Sequence, residues 1–236
     1  AKTLAEAAQA AQEQGLDKVY VCTTVTVTAA DEAILNQRGL TLVRCSEHHD
    51  SYLLEIKGEV TLDGAHLDGA SIKSEDSLIS VGSGAKLNIT GDTVIENGVA
   101  KYGGGLVVNQ GLLNMTGGTI RGNHATALGG GVYVQGYQAV VNFDGGSLIG
   151  NSSEVYGGGV DVGDKGTVNF GLYDGRTLIS QNSSVSEGGG ICYEYSTQGK
   201  IYQATFTDNE STSKSMYVSG AAISIQQNAS VDMKNL

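Results

Sequence analysis

The stretch VYGGGVDV, Val155–Val162, places three consecutive glycines immediately before an alternating apolar run. The same arrangement recurs in YGGGLVV from Tyr102, LGGGVYV from Leu128 and EGGGICY from Glu187, and successive triplets begin 26, 28 and 31 residues apart. Glycine weakens a strand because it loses the most backbone entropy and packs no side chain. Four copies at nearly constant spacing therefore indicate a structural requirement that glycine satisfies.

Two further patterns share the register of the triplets. The first is an asparagine that closes each copy of a short aliphatic segment, at Asn97, Asn123, Asn151, Asn182 and Asn209. The second is the run LNITGD, LNMTGG, VNFDGG and VNFGLY, which begins at Leu87, Leu113, Val141 and Val168. Three patterns that keep one register over more than a hundred residues define an internal repeat.

Each repeat contains three short segments in which apolar and polar residues alternate, and none shows the period of a helix. Three strands in about thirty residues cannot enclose a core, so the repeats must stack on one another. In the simplest arrangement each repeat forms one turn of a coil, and its strands pair in parallel with those of the next turn, about 4.8 Å away. The sequence therefore predicts an all-β fold, a right-handed parallel β-helix of about seven or eight turns.

Stacking of the repeats predicts which side chains form the core. Four apolar columns are expected to point inward: Leu106, Val132, Val160 and Ile191; Val108, Val134, Val162 and Tyr193; Ile89, Met115, Phe143 and Phe170; and Ile95, Ile120, Leu148 and Ile179. Because side chains alternate along a strand, Val107, Tyr133, Asp161 and Cys192 should form an outward, solvated column. The five asparagines should form a hydrogen-bonded ladder at one corner. The glycines should mark a corner with positive φ or with very close turns.

We interpret the 236 residues as one domain without a linker. Residues 1–16 predict a short helix that caps the open end of the coil, with a capping box at Thr3 and Glu6 and a stop at Gly15. Residues 17–77 are interpreted as degenerate turns and residues 78–236 as regular ones. The last residues resemble a middle strand that stops within a turn, so we expect a longer natural chain with adjoining domains.

The three cysteines leave alternatives open. Cys22 and Cys45 are 23 residues apart, about one turn, so they fit either a disulfide or two buried thiols. Cys192 falls in the outward column without a histidine or basic residue beside it, and it is predicted to be an unreactive surface thiol.

Composition excludes several classes of partner. The net charge of −11 disfavours nucleic acids, and the sequence contains no apolar stretch long enough to insert into a membrane. The glycine triplets lack the lysine and the following helix of a phosphate-binding loop, and His48 and His49 lack two further metal ligands. We therefore predict no metal and no cofactor, and we expect a monomer.

The combination of a glycine-rich strand with an aliphatic-x-x-Asn element resembles the GGA[ILV] and FxxN repeats of the polymorphic outer-membrane autotransporter adhesins. The motifs that carry the resemblance are Gly103–Leu106 with Ile120–Asn123, Gly129–Val132 with Leu148–Asn151, Gly157–Val160 with Ile179–Asn182, and Gly188–Ile191 with Phe206–Asn209. They lie within residues 78 to 225, with GGG in place of GGA. The resemblance implies a secreted or cell-surface bacterial protein that acts in adhesion.

The sequence accordingly predicts a non-catalytic extracellular module that acts in adhesion or as a rigid spacer. The expected partner is a host or microbial glycan or a surface protein, and the expected patch combines aromatic and acidic residues: Tyr133, Tyr137, Asp161 and Glu194. The alternative is a polysaccharide lyase or glycoside hydrolase of the pectate-lyase-like β-helix type. Such an enzyme needs carboxylates on adjacent turns, and the outward column offers only Asp161.

Overall fold

The computed structural model describes residues 3–47, 51–173, 175–212 and 220–234. In this part of the chain nearly all regular structure is β-strand, and every strand pairing is parallel. Each strand pairs with its equivalents one turn before and one turn after it in the sequence. The predicted parallel β-helix is confirmed.

Four sheets run along the solenoid. Sheet A comprises Lys18–Val21, Thr41–Arg44, His66–Asp68, Val94–Glu96, Thr119–Arg121, Ser147–Ile149, Thr177–Ser180 and Ala204–Thr207. Sheet B comprises Val25–Val27, Leu54–Ile56, Ile79–Val81, Leu106–Asn109, Val132–Gln135, Val160–Val162, Ile191–Tyr193 and Ile223–Ile225. Sheet C comprises Glu59–Asp63, Lys86–Thr90, Leu112–Met115, Val140–Phe143, Thr167–Phe170, Gln198–Ile201 and Ser230–Met233. Sheet D comprises Val99–Tyr102, His124–Leu128, Ser152–Ser153, Ser183–Ser184 and Glu210–Ser211.

The interior is formed by the four predicted columns. All sixteen of their residues are fully buried, at 0% exposure. The rings of Phe143 and Phe170 stack with centroids 4.9 Å apart, and the hydroxyl of the buried Tyr193 donates a hydrogen bond to the carbonyl of Val168 at 2.9 Å. The period-two pattern therefore identified the core correctly.

Sheet D is a fourth strand per turn where the sequence predicts three. Its strands are only two to five residues long and are poor in aliphatic residues, and three of the five contain serine, so they carry little periodic signal. They follow the asparagine corner, and the first two end directly at a glycine triplet. Sheet D contacts the outward face of sheet B at Tyr102, whose ring stacks on Tyr133.

The glycine triplets satisfy both requirements proposed for them. The first glycine of each triplet has positive φ, as at Gly157 with φ +63°. At the second position, a β-carbon on Gly158 would lie 2.3 Å from the carbonyl oxygen of Ser183 and 2.4 Å from that of Gly189 on the next turn. The backbones of adjacent turns thus approach too closely for any other residue.

The corner ladder is confirmed for four of the five asparagines. These four lie one turn apart. The side-chain amides of Asn123, Asn151 and Asn182 each donate to the Oδ1 atom of the next asparagine at 3.0 Å, and the last acceptor is Asn209. Asn97 was assigned to the ladder wrongly. The strand register places Gly98, not Asn97, opposite Asn123, and Asn97 adopts φ +55° and donates to Asp68 instead.

The N-terminal end is closed as predicted by the helix Leu4–Glu13, with the capping box of Thr3 and Glu6. Its apolar face, including Leu4 and Ala8, joins the core of the solenoid. A 3₁₀ turn at Ala29–Asp31 and a short helix at Glu32–Leu35 follow. Neither helix of the described ranges is long and apolar enough to cross a membrane.

Cys22 and Cys45 form a disulfide on adjacent turns, with their Cα atoms 5.2 Å apart. The sequence left open either a disulfide or two buried thiols, and the structure contains the disulfide. Disulfides persist in oxidising compartments such as the cell exterior.

Candidate functional site

Part of the predicted patch on sheet B is buried. Tyr133 is 7% exposed and Asp161 is 0% exposed, so the prediction of a solvated outward column is wrong for both. The prediction that these side chains point away from the core is confirmed, since Val160 and Val162 on either side of Asp161 point into it. The ring of Tyr102, the last residue of its sheet D strand, stacks on Tyr133 with centroids 5.3 Å apart.

We call this region the tyrosine cleft, and define it by Tyr102, Tyr133, Tyr156, Asp161, Gly163 and Glu194. The structure brings together three of the four predicted patch residues, Tyr133, Asp161 and Glu194, whose polar groups influence one another's ionisation. Tyr137 is 70% exposed in the loop beyond the strand. In the described part of the chain no hydrogen bond, ring contact or ion pair joins it to the other three.

Asp161 and Glu194 form an acidic pair on adjacent turns. While both are ionised, neither oxygen of Asp161 has a hydrogen-bond donor among the described residues. Burial, and secondly the charge of Glu194, raise the pKa of Asp161 well above its ordinary value. Burial also raises the pKa of Glu194; the hydrogen bond with Asp161 opposes this shift and the charge of Asp164 adds to it. Protonation of one member supplies the missing donor, so the pair is built to share a proton.

Cys192 is fully buried at the floor of the same cleft, which corrects the prediction of a surface thiol. Burial, followed by the charges of Asp161 and Glu194, raises the pKa of the thiol. Because the thiolate is the reactive form, burial and the raised pKa both disfavour reaction at Cys192.

A second concave surface lies on the outer face of sheet C, and we call it the amide groove. It has a volume of about 520 Å³ and is lined by Thr61, Asn88, Thr90, Asn114, Thr116, Asn142, Asp144 and Tyr173. Along its floor Asn114 donates to Asn88 at 3.2 Å, and Asn142 donates to Asn114 at 3.0 Å. Asn169 extends the ladder by one more turn at 2.9 Å.

The amides of this groove retain hydrogen-bonding capacity toward solvent. A carboxamide has two N–H donors and an oxygen with two lone pairs, and the ladder uses one of each at Asn114 and Asn142. The remaining donor and acceptor are available at the surface, since both side chains are only half-buried. Tyr173 borders the groove with 79% of its surface exposed, and its backbone N–H is held by Asp144 at 2.9 Å.

The sequence predicted neither the groove nor its residues as a site. The signal was present, because the repeated runs LNIT, LNMT, VNFD and VNFG carry an asparagine at the same position of each turn. The apolar residues of those runs predict the core, whereas the asparagines between them point outward.

Among the described residues, no group of three or more His, Cys, Asp or Glu side chains is arranged to hold a metal ion. His48 and His49 lie outside the described residues. Comparison of the chain with protein-family models, with curated proteins and with solved structures found no match.

Proposed function

We propose that this chain is a non-catalytic extracellular module of a bacterial surface protein, in which the amide groove binds an extended, neutral glycan. The solenoid serves as its rigid support and as a spacer for adjoining domains. The observation that carries the proposal is the half-exposed amide ladder beside the exposed ring of Tyr173.

The chemistry of the groove suits sugar hydroxyls. Each hydroxyl is both a donor and an acceptor, and Asn114 and Asn142 each offer one free group of both kinds at the spacing of successive turns. Threonine hydroxyls line one side, and the single acidic side chain among the lining residues is Asp144. Tyr173 adds an amphipathic ring on which a sugar ring can pack.

Two observations support a location at the cell exterior. The disulfide between Cys22 and Cys45 fits an oxidising compartment. The glycine and asparagine motifs resemble those of surface adhesins, and parallel solenoids present long rigid faces of the kind that adhesion requires.

The acidic pair in the tyrosine cleft does not favour the alternative of a glycoside hydrolase. Asp161 and Glu194 lie within hydrogen-bonding reach of each other, whereas the two carboxyls of such enzymes stand about 5 to 9.5 Å apart to admit the sugar and water. Asp161 is also fully buried. The pair therefore has the geometry of a shared proton rather than of two groups that flank a glycosidic bond.

Replacement of Tyr173 by alanine is expected to weaken glycan binding about tenfold, because an exposed aromatic ring is the largest contact the groove offers. A glycan array identifies the ligand, and calorimetry with wild type and variant then measures the affinity. Tyr137→Ala is the matched control, since Tyr137 is similarly exposed but lies outside the groove.

If Tyr137→Ala loses binding and Tyr173→Ala binds fully, the binding site is the patch that the sequence predicts around Tyr137 and not the amide groove. New reducing ends or unsaturated uronides after incubation with polygalacturonate or neutral glycans would overturn the non-catalytic proposal.

A further inference from the structure

The amide groove is longer along the solenoid than across it. Its floor is a row of register partners on four adjacent strands of sheet C: Thr61, Asn88, Asn114 and Asn142. Three strand spacings separate the two ends of this row, roughly 14 Å. A second row lies two residues further along the strands: Thr90, Thr116 and Asp144. It adds a width of roughly 7 Å, so the long direction of the groove is the axis of the solenoid.

The row of the floor ends on a definite turn at each side. Thr61 lies on the first strand of sheet C, and the free edge of that strand is occupied. The Thr61 N–H donates to Glu32 at 2.6 Å, and the Asn36 amide donates to the Thr61 carbonyl at 2.9 Å. Beyond Asn142, the next member of the ladder is Asn169, which is only 8% exposed. Among the described residues, the floor therefore offers contacts on four turns.

Tyr173 stands at the Asn142 end because the connection that carries it is longer than its equivalents. The connections after Thr90, Met115 and Phe143 contain three residues each, whereas the one between Phe170 and Thr177 contains six. Gly175 in this connection packs directly against the Asp144 carbonyl, since a β-carbon on Gly175 would overlap the oxygen. The longer connection thus folds back onto the preceding turn and brings the ring of Tyr173 to one end of the groove.

Successive turns of the groove repeat one chemistry at one interval. Asn88 and Asn114 each have a threonine hydroxyl beside them, and Asn142 has the Asp144 carboxylate. A ligand whose own polar groups repeat at about 4.8 Å can bond to every turn in the same way. The sugars of an extended β-1,4-linked chain advance by close to this distance, whereas an α-1,4-linked chain curls into a helix and departs from the row.

We propose that the amide groove selects β-1,4-linked glycans and binds them parallel to the solenoid axis, with one sugar on each turn from Thr61 to Asn142. This inference rests on the proposed function, to which it adds the linkage, the direction and the length of the ligand. Four sugars fill the row. The sugar on Asn142 packs against Tyr173, and the sugar on Thr61 is the furthest from that ring.

Calorimetric titration of the full chain with oligosaccharides tests linkage and length together. The probes are β-1,4-linked oligomers of glucose, mannose and N-acetylglucosamine from disaccharide to hexasaccharide, with maltotetraose as the α-1,4-linked control. In at least one β-1,4 series we expect a tetrasaccharide affinity about tenfold above that of maltotetraose. Affinity in that series should rise about fivefold with each sugar up to the tetrasaccharide. It should rise by no more than about threefold from there to the hexasaccharide, because the added sugars provide new registers but no new contacts.

Thr61→Val distinguishes the two ends of the row, because it removes a hydroxyl at constant shape. It should weaken tetrasaccharide binding about fivefold and leave disaccharide binding unchanged, since the disaccharide occupies the end next to Tyr173. Tyr173→Ala should weaken both ligands to the same extent. Thr167→Val is the matched control, since Thr167 is a half-buried threonine on the same face of sheet C but outside the groove. Its affinities should equal those of wild type, and melting curves verify that each variant is folded.

The outcomes separate this inference from the proposed function. Equal affinity for maltotetraose and the β-1,4-linked tetrasaccharides, affinity that does not depend on length, or equal losses for both lengths in Thr61→Val would overturn the inference. An array ligand that is branched or α-linked would do the same, and in each of these cases the proposed glycan-binding function stands. Binding of no glycan, on the array or in solution, would overturn the proposed function and this inference with it.

Discussion

Replacement of Asn151 by alanine is expected to lower the free energy of unfolding by about 3–5 kcal/mol, because the side chain completes four hydrogen bonds in the buried corner. Its Oδ1 atom accepts from the backbone N–H and the side-chain amide of Asn123, at 3.1 and 3.0 Å. Its Nδ2 atom donates to the Ile120 carbonyl and to Asn182, both at 3.0 Å. Truncation leaves these partners buried without replacements, since Asn151 is 0% exposed.

Asn114→Ala provides the matched control for this measurement. Asn114 belongs to the outer amide ladder, where it bonds with Asn88 and Asn142 but stays half-exposed, so water can replace the lost partner. Chemical denaturation should give a loss of about 1 kcal/mol or less for this variant. Equal losses in the two variants would contradict the distinction between the inner and outer ladders.

The contrast between the two ladders shows what the repeat predicted and what it did not. Apolar columns such as Leu106 and Val132 could be assigned because their alternation has a single physical cause, burial on one face of a strand. The corner ladder was assigned from motif spacing alone, and spacing cannot detect the one-residue offset that places Gly98 opposite Asn123 and Asn97 outside the ladder. Strand register, which fixes that offset, depends on the turns between strands.

The candidate sites were harder to predict because they depend on contacts between sheets. An alternating strand defines the direction of Asp161 and Cys192, but their burial depends on contacts with residues outside their strands, such as Gly157 beside Asp161 and Gln226 beside Cys192. The pairing of Asp161 with Glu194 likewise joins a strand to a residue just beyond the next strand. Inspection of a single outward column therefore could not reveal it.

Asp161→Asn is expected to stabilise the protein at neutral pH by about 1–3 kcal/mol, although the sequence predicts a solvated side chain at this position. The asparagine amide can donate a hydrogen bond to Glu194 without taking up a proton, whereas the wild-type pair must bind a proton to form the same hydrogen bond. The benefit should depend on pH. Because burial and the charge of Glu194 raise the pKa of Asp161, the folded wild type keeps a proton that the unfolded chain releases above about pH 4.

Folding of the wild type therefore becomes less favourable as the pH rises from about 4 until the buried pair ionises, and the variant escapes this loss. Urea denaturation of both proteins from about pH 4 to pH 8 measures the difference in unfolding free energy. That difference isolates Asp161 from groups such as Glu96, whose pKa is lowered by hydrogen bonds from Arg121 and His66 that outweigh its burial. We expect this difference in unfolding free energy to be near zero at pH 4 and to grow with pH.

Asp164→Asn is the control, because it removes the same charge from an exposed position and should change stability by less than about 0.5 kcal/mol at every pH. A difference that stays constant with pH, or a destabilised Asp161→Asn variant at neutral pH, would show that Asp161 is ionised and satisfied in the folded protein.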